Sequence, residues 1–187
     1  ERWARVIRAD LPPVDLTGQT VCRFPSGIPS IAGLERGTRV VVLASPNSNS
    51  GGPCGRRSLP RATTALGVIE ASHGPSIDFD SPLTNLRGTA MHELGHVLGL
   101  VGMNGLLNGP LPWYDQPSAR YTGAFALEGY RRRFGTSVAY LEARPGDWHW
   151  RGFNELMTSP PSGTISTVSV GALMDLGYPA AWYGADN

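Results

Sequence analysis

Three observations predict an α+β fold. Short β-branched runs come first along the chain, and stretches with helical spacing, each closed by a glycine, follow them. Glycine and proline (24 and 16 of 187 residues) are frequent enough to put many turns around a modest amount of regular structure. Strands first and helices later is the α+β order.

Taken along the chain, "RVVVLA" (Arg39 to Ala44) reads as a buried strand. "LGVIEAS" (Leu66 to Ser72) is a second, and "VCRF" near Val21 a third candidate. Between the first two, "SPNSNSGGPCGRRSLP" has the Pro, Asn, Ser and Gly content of a long surface loop. Thr84 or Asn85 can cap a helix on which Leu86, Ala90, Met91, Leu94, Val97 and Leu98 follow helical spacing. Gly99 is its expected left-handed stop. After the break at "LLNGPLPWYDQP", a second helix is expected from about Thr122, as N-cap, to Phe134. Arg131, Arg132 and Arg133 then sit in its last turn, where the macrodipole favours cations, and Gly135 ends it. A third helix is expected over about Thr167 to Leu176, with Gly177 as its stop.

The length suits one domain with a sizeable core, arranged as two lobes around a cleft. A net charge of +1 argues against a nucleic-acid partner held by bulk electrostatics. All sixteen basic residues are arginine, which decides nothing about mechanism. No run of eighteen apolar residues is present, so no transmembrane segment is expected. No signal peptide is visible, and a start at Glu1 is what a processed or trimmed product shows. Cys22 and Cys54 are the only cysteines. If paired they close a loop of about thirty residues, worth roughly 3–4 kcal/mol, and point to a secreted, oxidising setting; the alternative is two buried thiols.

The chemistry concentrates in "MHELGHVLGLVGMNG" (91 to 105). On a helix, His92 and His96 stand one turn apart on one face, with about 5–6 Å between β-carbons, so two imidazoles can grip one zinc ion. Glu93 leaves the helix about 100° round from His92. It stands beside the metal, where it can hold a water and take its proton as general base. A tetrahedral catalytic zinc needs a third protein ligand. In the extended pattern HExxHxxGxxH that ligand would fall at 102, which here is Gly102. Four candidates remain: His73 in the turn-like "ASHGPS", His149 between Trp148 and Trp150, and the carboxylates Glu128 and Glu155. Glu128 falls in the second predicted helix and is geometrically possible.

"HELGHVLGL", a long insertion, then "DWHWRGFNELMTSPPSG" resembles the leishmanolysin family of metzincin zinc peptidases. The likeness extends through "YTGAFALEGYRRRFG" and "ISTVSVGALMDLGY", and more thinly to "GGPCGRR". It covers roughly residues 39 to 183 and suggests a compact bacterial-type member; the first thirty or so residues stay unassigned. In that family an insertion displaces the third histidine far downstream, to a histidine–tryptophan pair followed by "NELM" or "DELM". The resemblance therefore implies His149 as third ligand of one catalytic Zn2+, and Met157 as the Met-turn residue forming an apolar floor under the ligands. It also implies a metzincin-like fold: residues 1–99 form an upper subdomain with a twisted mixed sheet and the active-site helix. Residues 100–187 form a mostly irregular and helical lower subdomain.

The implied activity is endopeptidase cleavage of extended protein or peptide substrates by a monomer, secreted or at the cell surface. "LGVIEAS" is the candidate edge strand for pairing with the peptide. Some metzincins carry a tyrosine two residues after the methionine; here it is Ser159, so oxyanion stabilisation rests on zinc and Glu93. Two rivals stand beside this reading. One is a catalytically silent metzincin-like binding or adhesion module, against which the intact Glu93 speaks. The other is an HExxH peptidase with a glutamate as third ligand.

Overall fold

A computed structural model of the chain describes residues 2–9, 11, 13–15, 17, 34–35, 39–45, 50–56, 64–72, 84–101, 112–115, 117–144 and 149–186. For the strand residues between 34 and 56, and for 65–72, 84–87 and 89, it describes the backbone alone. Cys22, His73, Gly102 and the "VCRF" candidate lie outside the described residues, and with Cys22 so does the Cys22–Cys54 pairing.

The fold is α+β. A short helix α1 (Arg2–Val6) opens the chain, followed by an antiparallel pair, β1 (Val14–Asp15) and β2 (Leu34–Glu35). Next come β3 (Arg39–Ser45), β4 (Ser50–Arg56) and β5 (Thr64–Ser72). Among the described residues they form a mixed three-stranded sheet in the order β3-β5-β4, with β3 parallel and β4 antiparallel to β5.

This sheet corrects two expectations. The stretch assigned to a surface loop contains β4, although its sequence "SGGPCGR" has no β-branched residue. Pairing with β5 makes it a strand. As an edge strand it tolerates Pro53, which lacks an N–H, and register shifts between Pro53 and Arg56 accommodate it. The other correction concerns "LGVIEAS": it is not an edge strand. It belongs to β5, which is paired on both sides, as its apolar run suits.

Helix α2 (Thr84–Val97) packs on β4 and β5. It ends as the sequence indicates. Gly99 has a φ of +96°, its N–H bonds the His96 carbonyl (2.9 Å), and the Leu100 N–H reaches the Gly95 carbonyl (3.1 Å). That is a Schellman closure.

Beyond it, β6 (Tyr114–Asp115), β7 (Arg120–Tyr121) and β8 (Leu141–Glu142) form a small antiparallel sheet. Single bridges extend it from Ala143 to Trp150 and from Trp150 to Thr158. Helices α3 (Ala124–Phe134) and α4 (Thr167–Asp175) pack on one another. They cross closely because Gly129 and Gly171 have no side chain: a β-carbon on either would lie 2.2 Å from a carbonyl oxygen of the other helix. Helix α3 starts later than expected, with Gly123 as N-cap; the Thr122 hydroxyl bonds the Trp113 carbonyl instead. Asp175 takes over the capping, accepting from the Phe125 and Ala126 N–H groups at 3.0 Å each. Gly135 and Gly177 both have positive φ and follow α3 and α4 as expected.

The N-terminal segment, unassigned from sequence, is built into this structure. Helix α1 packs on a 3-10 turn at Trp182–Gly184. Backbone bonds join Arg8 to Pro179 and Ala181 to Val6, and Arg2 pairs with Asp186. Trp3, Val6, Leu98, Leu100, Trp150, Met157 and Leu173 share one buried apolar cluster. Among the described residues, no helix is long and apolar enough to cross a membrane.

Candidate metal centre

Helix α2 places His92 and His96 on one face, and the strand-like segment at Trp150 brings His149 to them from 53 residues further on. His92 Nε2 lies 2.9 Å from His149 Nε2 and 3.1 Å from His96 Nε2. The His92 and His149 rings stack at 18°, and the His96 ring stands edge-on to both. His92 and His96 are buried and His149 half-buried. The three histidines lie close enough to hold one metal ion.

Three imidazoles, with no acidic group among them, suit zinc. Nitrogens about 2.0–2.1 Å from a tetrahedral zinc stand about 3.3 Å apart, so the observed spacings need only a few tenths of an ångström of opening. The protonation states fit as well. Burial lowers the pKa of His92, though its bond to Leu156 works the other way, and it pushes His96 down to about 3, aided by the neighbouring imidazoles. Both rings are therefore neutral at pH 7. His92 Nδ1 donates to the Leu156 carbonyl at 2.6 Å, which fixes the tautomer and leaves the Nε2 lone pair facing His149 and His96. Glu93 is buried next to His92, and burial raises its carboxyl to about 7.

The two carboxylate candidates lie elsewhere. Glu128 sits on the surface of α3 and holds Arg131 (2.6 Å) and Arg132 (2.9 Å), which keep its carboxyl below the usual range. Glu155 is fully buried behind the loop that carries Met157, accepting from the Met157 N–H and from Ser166 and Ser169.

Met157 is fully buried and lies directly against α2. A β-carbon on Gly95 would fall 2.3 Å from its sulfur, 3.0 Å from its Cε and 3.2 Å from the Trp3 ring. Trp3 in turn donates from its indole to the Met91 carbonyl (3.1 Å). Gly95, Trp3 and the Leu156 carbonyl are supporting groups that sequence reasoning missed. Only Gly95 carried a signal, a glycine inside a helical stretch, which marks a close approach.

This contact gives a prediction whose sign is diagnostic. Alanine for glycine inside a free helix stabilises by about 0.5–1 kcal/mol. Gly95→Ala should instead destabilise by about 1–3 kcal/mol, because the methyl overpacks a filled site. Urea denaturation of the two proteins decides it; a more stable variant would show that Met157 does not sit under Gly95.

No protein-family model matches the chain, and no curated protein matches it.

Proposed function

We propose that the protein is a zinc-dependent endopeptidase with a metzincin-like arrangement. The observation that carries this is the convergence of three imidazole nitrogens beside a buried glutamate, two of the histidines and the glutamate coming from one helical turn.

A zinc ion held by His92, His96 and His149 would supply Lewis acidity to a water molecule and to the scissile carbonyl. Glu93 accepts the proton that the water loses on attack and returns it to the leaving amine. With its carboxyl raised to about 7, it is matched to that exchange near neutral pH. Met157 closes the site from below as an apolar floor, which keeps water from approaching the histidines from the core side. Among the described residues β4 pairs only with β5, so its other edge is the side that an extended peptide would join. In this reading the chain divides after Gly99 into two subdomains flanking the cleft, with α1 packed against the C-terminal residues of the second. The enzyme works outside the cell as a monomer.

Elemental analysis should find one zinc per chain, and cleavage of a denatured protein should stop with a chelator and return with zinc. Acidification adds a second check. A histidine with a lowered pKa takes up a proton only at lower pH, so protons compete for His92 and His96 below the ordinary imidazole value of about 6.5. Zinc held by these two rings should therefore resist acidification to a lower pH than two ordinary imidazoles would allow, measured by dialysis at stepped pH. A metal-free, chelator-resistant enzyme would overturn the proposal.

A further inference from the structure

Glu155 is fully buried, yet the groups that meet it are neutral donors. One carboxylate oxygen accepts from the Met157 N–H. The other accepts from the Ser169 hydroxyl (2.7 Å), the Ser166 hydroxyl (3.0 Å) and the Ser166 N–H (3.4 Å). Taking a carboxylate out of water is costly, and an apolar side chain would fill the space without that cost. What the carboxylate adds is direction.

Its bonds tie together three pieces of chain. Ser166 is the N-cap of α4, accepting from the Ser169 N–H. The Ser169 hydroxyl also accepts from the Trp150 indole N–H at 3.1 Å. Trp150 follows His149 directly, and its own N–H bonds the Met157 carbonyl at 2.9 Å. The Glu155 carbonyl holds the same turn closed through Thr158 and Ser162. Next to Glu155, the Leu156 carbonyl fixes the His92 ring. One side chain thus sets the segment at 149–150 against the segment at 156–157, and these two segments hold His149 and His92 respectively.

We propose that Glu155 is a positioning residue for the metal centre: through Ser169 and Trp150 it fixes where His149 meets His92. This rests on reading the three histidines as zinc ligands. Glu155→Gln keeps the shape but brings N–H groups against the donors of Ser166, and Ser169→Ala cuts the link to Trp150 while leaving the carboxylate in place. In the full chain, both should weaken Zn2+ affinity about tenfold or more, within the 10–100-fold range for groups behind a ligand. Both should also shift the visible absorption of the Co2+-loaded protein, which reports ligand geometry.

Affinity is read by chelator competition, and spectra are taken where circular dichroism shows each variant folded. A purely structural role would lower the melting temperature and leave the Co2+ spectrum of the folded protein unchanged. Folded variants with wild-type affinity and an unshifted spectrum overturn the proposal; if Glu155→Gln fails to fold, Ser169→Ala decides alone. A wild-type chain that binds neither Zn2+ nor Co2+ identifies the zinc reading as the failure and removes the proposal with it.

Discussion

Glu93→Gln is expected to reduce turnover by about 10²–10⁴-fold while one zinc per chain is retained. The amide has the size of the carboxylate and leaves His92 and His96 on their helix face, but it cannot take a proton from water. Loss of fold would not explain the result. Burial raises the Glu93 carboxyl to about 7, so its ionised form is the one the folded state disfavours. The stability this group contributes is present below the ordinary glutamate value and is lost as the pH rises through about 7. A neutral glutamine escapes that loss, and the metal-free variant should melt no lower than wild type above pH 7. Zinc content, melting temperature and cleavage rate on one preparation separate the cases. A variant with full zinc and a near-wild-type rate would remove Glu93 from the proton transfer.

The second large effect belongs to His149. With His149→Ala two imidazoles remain, and zinc affinity should fall by orders of magnitude. Zinc would also cross-link the segment at 149–157 to α2, so the variant should lose most of the melting-temperature rise that zinc gives the wild type. Glu128→Ala should leave zinc untouched, because that carboxylate is occupied by Arg131 and Arg132 on the surface of α3. His73→Ala serves as the comparison among histidines, with zinc and rate almost unchanged. Zinc stoichiometry at matched protein concentration is the measurement. Full occupancy in His149→Ala, with loss in His73→Ala or Glu128→Ala, would place the third ligand elsewhere and end the leishmanolysin-like reading.

What the sequence determined by itself is the part of the protein built from neighbours along the chain. Helix α2 shows in the spacing of Leu86, Ala90, Met91, Leu94 and Leu98, and its end shows in Gly99, because helical period and a left-handed closing residue act within one or two turns. The placement of His92 and His96 follows from the same period. Helix α4 and its closing Gly177 were legible for the same reason, as was β3 from its β-branched run.

Tertiary structure decided the rest. Strand β4 has no local strand signal and exists through its pairing with β5. Trp3 joins the support of α2 because α1 is held against the residues around Ala180. Four candidates for the third position stayed open from spacing alone, and only the resemblance singled out His149. The fold brings its imidazole to a partner 57 residues away, and Met157 to a glycine 62 residues away. The physical reason is common to all of these. Periodicity encodes contacts between near neighbours, whereas a contact across the fold depends on how whole elements pack, and no local pattern of residues carries that.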